Sequence, residues 1–391
     1  MKIKHSIHKV NGYTVILVPN DRNTCHINAY IKTGSLDESK HDAGIHHLVE
    51  HVLTEAWKPC GKDTCNSYWD KKGVNMNAST TSSYMNFYVN GLVDDMEEMM
   101  QYIIDIITKP FLQESTLKIE KHAVLNELLT RSNNPESKLY REFNKEFFIE
   151  SYGYDYDLQI KNLKHMNMAK IRDFYHKINR EIIFVISGPK KMPNFKETYH
   201  YKKPHKDFLS CSNKIIYVHQ KQKSTILIMG MPIVCNDSYK WNACLSVLNM
   251  ILFQLLRIEM KLVYSVSVSL SELPSPYLFI KSTIENKHTV LVHKTILETF
   301  EKYKKESFPQ EYIDGMKKKY KINYENLNYT SGFMANYILD HYLDGKIISI
   351  EKHYKDIDNM TQNDFMKLMK LMKLNKICVA YQGPIKYHDL V

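Results

Sequence analysis

Residues 44–53 read Gly-Ile-His-His-Leu-Val-Glu-His-Val-Leu and contain the pentapeptide H-x-x-E-H from His47 to His51. The apolar character of this stretch predicts a buried helix. Positions i and i+4 of a helix share one face, so His47 and His51 present two imidazoles to the same point. Zinc accepts such a pair at about 2.0–2.1 Å per nitrogen and needs one more protein ligand in a catalytic site.

Glu50 lies three residues after His47, close enough to the same face to reach a water molecule on the metal. The pentapeptide is the inverted form of the H-E-x-x-H motif of zinc proteases, with the glutamate beside the second histidine. The alternative is a histidine-rich helix whose polar groups are satisfied by their neighbours. The pattern favours zinc, although 18 His in the chain make a chance occurrence conceivable.

A candidate for the third ligand lies in residues 114–131, which have helical spacing and good helix formers. Glu120 and Glu127 are seven residues apart, which is two helical turns, and therefore share a face. The alternative is a pair of ordinary surface glutamates on an amphipathic helix, as most helical glutamates are. The spacing by itself does not choose between these two interpretations.

The chain resembles the inverted-motif zinc peptidases typified by pitrilysin, insulin-degrading enzyme and mitochondrial processing peptidase. Besides the H-x-x-E-H helix, the resemblance is carried by residues 11–18, 31–38 and 73–80, and it extends over nearly the whole chain. It implies a zinc metallopeptidase whose third ligand is Glu127. Glu120 matches a second acidic position of the family, and we expect it to orient a ligand histidine.

The resemblance also implies a mechanism. Glu50 is expected to act as the general base on the attacking water, with zinc held by His47, His51 and Glu127. An extended peptide would add as a strand beside Asn77-Ala78-Ser79-Thr80, although this edge could equally be masked by its polar residues.

The second half of the chain carries a further match. Arg257 and Tyr264, seven residues apart, resemble the pair with which the family binds the substrate backbone at the zinc site. Lys261 departs from the family, which has a glycine there, so the local turn geometry is in question. Without the resemblance, Arg257 would be taken as a surface ion-pair partner and Tyr264 as a strand-filling aromatic.

Family members enclose their substrate between two two-domain halves, and this chain resembles one such half of a clamshell. It is therefore expected to form a homodimer, or a heterodimer with a related subunit, around short or unfolded peptides. In either dimer Arg257 and Tyr264 would serve the partner's zinc. The alternative function is a non-catalytic subunit that binds peptides or supports a complex, as in relatives that lack the motif.

Two homologous α+β domains are predicted, each with a mostly antiparallel sheet and helices packed on one face. Residues 182–190 and 377–385 form similar terminal strands at an offset of 195 residues, which indicates an internal repeat. The predicted ranges are 1–192 for the zinc-binding domain, 193–213 for a polar linker, and 214–391 for a second domain without the motif.

Composition limits the remaining possibilities. A hydrophobic content of 43% and a charged content of 25% are typical of a globular protein, and no membrane span is expected. The net charge of +10 comes from lysines spread along helices, so nucleic acid is not an expected partner. Seven cysteines, with Cys60 and Cys65 interpreted as loop thiols, predict a cytoplasmic protein.

Overall fold

The computed structural model describes residues 3–148, 154–178, 180–196, 198–200, 214–271 and 275–384. The chain forms two compact units. Unit 1 contains the described residues of 1–132, 154–206 and 328–349, and unit 2 contains those of 133–153, 207–327 and 350–391. Each unit has one sheet and a set of helices, which confirms the predicted α+β class.

The sheet of unit 1 has six strands in the order β1-β2-β6-β3-β5-β4. Its neighbours pair antiparallel except for β2 and β6, which are parallel. The strands are β1 (Ser6–Val10), β2 (Tyr13–Pro19), β3 (Thr24–Ile31), β4 (Asn75–Thr80), β5 (Met85–Leu92) and β6 (Ile182–Gly188). The order places β4 at one edge of the sheet.

The sheet of unit 2 has five strands in the order β7-β11-β8-β10-β9. Its one parallel pair is β11 with β7. The strands are β7 (Ile215–His219), β8 (Ser224–Pro232), β9 (Val263–Ser271), β10 (Tyr277–Glu285) and β11 (Cys378–Gly383). In both sheets the last strand lies inside the sheet: β6 lies between β2 and β3, and β11 lies between β7 and β8.

Thirteen α-helices lie within the described residues. The first seven are α1 (Ile45–Thr54), α2 (Cys65–Asp70), α3 (Met96–Thr108), α4 (Glu114–Ser132), α5 (Pro135–Phe147), α6 (Tyr156–His165) and α7 (Met168–Lys177). The others are α8 (Ser238–Leu252), α9 (Thr289–Lys305), α10 (Gln310–Glu325), α11 (Ser331–Leu343), α12 (Ile350–Asp358) and α13 (Gln362–Leu371). A π-helical segment, Phe253–Glu259, continues α8.

Helix α1 is held in the core of unit 1 by its apolar residues. Ile45, Leu48, Val49 and Val52 are fully buried in the cluster that also contains the inner face of β3 and β5. Complete burial of one such side chain stabilises the fold by about 1.5–3 kcal/mol. His47 and His51 project from the opposite side, so the same helix both anchors the unit and presents polar groups.

Two helices do not follow the predicted domain ranges. Helix α5 precedes residue 192 but belongs to unit 2, and α11 follows residue 214 but belongs to unit 1. The predicted ranges thus describe the order along the chain and not the membership of these helices. Each of the two helices packs on the second face of its sheet, so the helices of a unit are not confined to one face.

The two exchanged helices meet their sheets with opposite chemistry. In unit 2, α5 buries Leu139, Phe143 and Phe147 against apolar strand residues. In unit 1, α11 covers a polar face, where the Tyr342 hydroxyl donates to Glu181 at 3.1 Å. Burial opposes ionisation of Glu181, but ion pairs with Lys32 and Lys9 outweigh it and lower its pKa to about 2.

The predicted linker is partly built into unit 1. Phe195 is buried, and the Tyr13 ring stacks on Phe195 at 4.4 Å and on Tyr199 at 5.2 Å between ring centroids. Residues 197 and 201–213 of the predicted linker lie outside the described residues.

Cys60 and Cys65 are joined by a disulfide, which corrects the interpretation of both as loop thiols. The 3₁₀ turn Lys58–Cys60 brings the chain back to the start of α2, and the two Cα atoms are 5.2 Å apart. This separation lies inside the range that a disulfide requires. The cytoplasmic location, which was inferred from cysteine usage, stays a prediction.

One helical segment, Ser238–Glu259, is long and apolar enough to cross a membrane by length and composition. Half of its most apolar window is buried in the structure. Trp241, Leu245, Leu248 and Leu252 of this segment pack in the core of unit 2.

Candidate metal centre

The first turn of α1 is fixed by a buried carboxylate. Glu38 accepts hydrogen bonds from the backbone N–H groups of Gly44 at 2.8 Å and His46 at 3.0 Å, and contacts His46 Nδ1 at 3.0 Å. A carboxylate at a helix N-terminus satisfies exposed donors and favours the helix dipole. Gly44 adopts φ +94°, in the left-handed region that glycine tolerates best. Glu38 ends the segment 31–38 that carries part of the family resemblance, and this capping role was not predicted from the sequence.

His47, His51 and Glu127 converge at one point. Their ligand atoms all lie within 4.8 Å of one another. His47 Nε2 lies 3.5 Å from Glu127 Oε2, and His51 Nε2 lies 3.7 Å from Glu127 Oε1. A tetrahedral zinc with bonds of about 2.0–2.1 Å sets its ligand atoms about 3.3 Å apart. The two histidine–glutamate separations exceed this spacing by a few tenths of an ångström, so the three side chains form a set that fits zinc.

The protonation of the two histidines suits metal binding. Burial lowers the pKa of His47 to about 3, with smaller contributions from the charges of His51 and Arg131. Burial opposes the charged form of His51 too, but Glu120, Glu50 and Glu127 outweigh it and raise the His51 pKa. A histidine must be neutral to bind a metal. Metal binding therefore competes with protonation at His51 but not at His47.

Glu120 contacts the far side of the His51 ring. Its Oε2 lies 3.1 Å from His51 Nδ1, and a proton on that nitrogen would be donated to the carboxylate. This tautomer leaves the Nε2 lone pair directed at the converging point. The structure thus places Glu120 in contact with a candidate ligand histidine, while Glu127 lies among the ligands one helical repeat later.

Glu50 lines the same cavity, which has a volume of about 730 Å³. It is 8% exposed, and burial raises the pKa of its carboxyl. A buried carboxyl with a raised pKa beside a metal site is suited to accepting and releasing a proton.

Strand β4 forms a wall of this cavity, and all four predicted residues, Asn77, Ala78, Ser79 and Thr80, line it. Their side chains alternate along the strand: Asn77 and Ser79 are exposed, whereas Ala78 and Thr80 are half-buried. Since β4 is the edge strand, its outer side is where another strand could pair.

Arg257 and Tyr264 belong to unit 2, whereas the cavity around the histidines is lined by residues of unit 1. Arg257 lies in the π-helical segment and donates to the Val263 carbonyl at 3.0 Å; the Tyr264 side chain is 59% exposed. Lys261 has φ +56°, so the left-handed turn is formed with a lysine where the family has glycine.

Two cavity residues were missed by sequence reasoning. Glu55 accepts hydrogen bonds from the backbone N–H groups of Cys65 and Asn66 at the start of α2, and Arg131 pairs with Glu127 at 3.2 Å. In the sequence, Glu55 lies one helical turn after His51, and Arg131 lies one helical turn after Glu127. These spacings are the only signals that could have pointed to the two residues. Neither signal distinguishes a cavity residue from a surface one.

Comparison with known families agrees with this architecture. Residues 14–153 match the model of the insulinase family, peptidase family M16, and residues 190–320 match that of the peptidase M16 inactive domain. The first match contains the H-x-x-E-H helix and Glu127. The second contains Arg257 and Tyr264.

Curated relatives include both proteases and a respiratory-complex subunit. Zinc protease PqqE of Helicobacter pylori is 24% identical over 193 residues, 47% of this chain and 43% of that protein. The beta subunit of the mitochondrial-processing peptidase of Saccharomyces cerevisiae is 22% identical over 46% of this chain and 39% of that protein. Cytochrome b-c1 complex subunit 1 of Bos taurus is 25% identical over 30% of this chain. The matched segments span a quarter to less than half of these relatives.

Solved structures share the fold along almost the whole chain. A protease from Helicobacter pylori has a TM-score of 0.84 at 16% identity, with 98% of this chain and 100% of that chain covered. The periplasmic protease PqqL from Escherichia coli has a TM-score of 0.81 at 14% identity, and 47% of its chain is covered. With two family models matching successive parts of the sequence, the chain belongs to the insulinase family of peptidases, family M16.

Proposed function

We propose that this protein is a zinc-dependent endopeptidase that hydrolyses short or unfolded peptides. The observation that carries the proposal is the convergence of His47, His51 and Glu127 in one cavity that also contains Glu50. Two imidazoles and one carboxylate form a ligand set of catalytic zinc sites, in which a fourth position stays open. When bound there, zinc supplies Lewis acidity that activates water and polarises the scissile carbonyl.

The proton transfers belong to Glu50. Its carboxylate accepts a proton from the attacking water and returns it to the leaving amine nitrogen, so the carboxylate is regenerated in each turnover. The raised pKa of Glu50 suits a group that must first accept a proton from water and then release it to the amine. Glu120 keeps His51 in the required tautomer, and Glu38 holds the start of α1 in place.

The edge of β4 supports an extended substrate. A peptide that pairs with the outer side of β4 would lie along the cavity wall, with its scissile bond beside Glu50. Main-chain hydrogen bonds of this kind require an unfolded segment, which is why short or unfolded peptides are the proposed substrates.

The proposed assembly is a dimer, either of two copies or with a related subunit, that encloses the substrate. Arg257 and Tyr264 would act on a substrate held at the partner's metal site. The exposed Tyr264 ring and the position of Arg257 in a π-helical segment, a feature frequent at functional sites, support this role.

Hydrolysis of an internally quenched, unstructured peptide tests the proposed activity. We expect cleavage by the purified protein, loss of cleavage after dialysis against a chelator, and recovery when one equivalent of zinc is added. A folded protein that contains the same peptide sequence serves as the control and should remain intact. Cleavage that persists in metal-free protein would contradict the proposal.

Mixing two inactive variants tests the dimer. In a homodimer of Arg257→Ala, and in one of Glu50→Gln, every site lacks one essential group. A mixed dimer contains one site with an intact Glu50 and an intact partner Arg257. If equal amounts of the two variants exchange freely, about half of the dimers are mixed and each has one complete site of two, so we expect activity to return to about a quarter of the wild-type rate. A fully active monomer at the mass of one chain would show that no partner is needed.

A second candidate function is a non-catalytic subunit of a larger complex. The similarity to cytochrome b-c1 complex subunit 1 is the observation that favours it. The presence of all three candidate ligands and of Glu50 argues for the peptidase, because a supporting role does not require this set. Zinc-independent binding of peptides without cleavage would favour the second candidate.

A further inference from the structure

Two residues of opposite charge, Arg131 and Glu55, line the candidate metal cavity near opposite ends of α1. Arg131 lies near the first turn of α1, where its charge acts on His47 and Glu50. Glu55 lies just beyond the last turn of α1, where the charges of Glu120 and His51 act on it. His47 and Glu55 are eight positions apart, which corresponds to about 12 Å along a helix axis. The candidate zinc position lies between the two ends.

Strand β4 runs past the same two ends in the opposite direction. Near its start, the Tyr102 hydroxyl bridges the Thr54 carbonyl at 2.7 Å and the Met76 sulfur at 2.6 Å, which places Met76 at the Glu55 end. Beyond its last residue, the Thr81 carbonyl accepts from the Ser35 N–H at 3.1 Å. Ser35 lines the cavity together with Gly44, at the start of α1, so β4 ends near Arg131.

A peptide paired with β4 would therefore run between the two positions occupied by Glu55 and Arg131. Antiparallel pairing is slightly more stable per residue than parallel pairing. In that orientation the N-terminal part of the peptide lies at the Arg131 end and its C-terminal part at the Glu55 end. Because strand residues advance about 3.3 Å each, the two ends lie about two residues on either side of the scissile bond.

We propose that Glu55 and Arg131 determine substrate specificity: Glu55 favours a cationic side chain on the C-terminal side of the cleaved bond, and Arg131 favours an anionic one on the N-terminal side. This inference rests on the proposed peptidase function and names its substrate class. Both groups have the chemistry that such a contact needs. A carboxylate accepts at more positions than the two N–H groups on Glu55 occupy, and a guanidinium has five N–H donors.

The alternative is that Glu55 and Arg131 have only structural roles. Glu55 would simply cap α2, and Arg131 would be an i, i+4 partner of Glu127, an arrangement that is common on exposed helices. A structural role predicts no dependence of cleavage on the charge of the substrate. The two explanations therefore differ in a ratio of rates and not in the rate itself.

The test uses quenched peptides that differ only at the second residue on either side of the cleaved bond, as Lys, Gln or Glu. For the wild-type protein we expect kcat/KM to favour Lys over Glu about tenfold on the C-terminal side, and Glu over Lys about tenfold on the N-terminal side. Glu55→Gln should reduce the first ratio at least about fivefold and leave the second ratio unchanged, and Arg131→Gln should do the reverse. Ratios within one variant cancel any general loss of zinc or stability.

Matched controls lie outside the cavity. Asp63→Asn, near Glu55 in sequence and paired with Lys71, and Arg22→Gln, on an exposed loop, remove the same charges and should leave both ratios unchanged. At 1 M salt, where the screening length falls from about 10 Å to about 3 Å, both preferences should shrink in the wild-type protein.

Binding of the same peptides to zinc-loaded Glu50→Gln protein, followed by fluorescence anisotropy, separates the inference from the proposed function. Cleavage with equal charge ratios in the wild type and both variants overturns the inference and leaves the peptidase function standing. Absence of cleavage with the expected charge preference in binding overturns the peptidase function and keeps the specificity assignment. Absence of both cleavage and charge-dependent binding overturns both.

Discussion

Replacing Glu50 with glutamine is expected to lower kcat/KM for peptide hydrolysis by a factor of ~10²–10⁴, the contribution of a positioned general base. The amide has nearly the shape of the carboxyl but cannot accept the proton of the attacking water. Because Glu50 is not one of the three converging ligand side chains, the variant should retain one zinc per chain. Steady-state cleavage of a quenched peptide and elemental analysis of the same sample measure both quantities.

Glu97→Gln is the matched control for this experiment. Glu97 is 80% exposed on α3, pairs with Lys191, and does not line the metal cavity, so its loss should change kcat/KM less than twofold. Activity of Glu50→Gln within a few-fold of the wild type would remove Glu50 from the mechanism. Loss of zinc from Glu50→Gln would instead indicate that Glu50 is a ligand.

His51→Ala is expected to release the metal. Removing one of three protein ligands should weaken zinc binding by more than the ~10–100-fold that follows loss of a ligand's hydrogen-bonding partner. Competition with a chromophoric chelator measures the affinity directly and needs no enzymatic activity. Glu120→Gln provides the comparison, because it removes only the carboxylate that contacts His51 Nδ1 and should fall within the ~10–100-fold range.

An exposed histidine serves as the control for the metal measurement. His165 lies at the end of α6, and His165→Ala should bind zinc as the wild type does. Thermal unfolding of the metal-free proteins shows whether His51→Ala folds. Equal zinc affinity in His51→Ala and His165→Ala would disprove the assignment of the ligands.

Local sequence was enough to predict the elements on which the candidate site is built. Residues 114–131, predicted as a helix from their spacing, all lie in α4, which extends one residue further to Ser132. The helix predicted from residues 44–53 is α1, which begins after the left-handed Gly44 and ends at Thr54. Element type follows from side-chain periodicity, whereas element ends depend on single backbone angles.

The exchange of α5 and α11 could not be predicted from the sequence. Both have ordinary helical patterns, and nothing in residues 135–147 states that Phe143 and Phe147 pack on strands some 80 to 240 residues away. The same holds for the disulfide between Cys60 and Cys65, since five residues of separation permit either free thiols or a bond. Such outcomes are determined by which surfaces meet once the chain has folded.

The candidate metal site, too, was predicted only in part from the sequence. The sequence by itself determined that His47 and His51 share a face and that Glu50 lies beside it, because one helix fixes residues three and four apart. It left Glu120 and Glu127 as either ligands or surface glutamates. Only the tertiary structure brought α4 against α1, with Glu127 between the two histidines, Glu120 behind His51, and Arg131 and Glu55 at opposite ends of the cavity. The reason is that helical spacing acts over a few residues, whereas the choice among residues 76 positions apart is made by core packing.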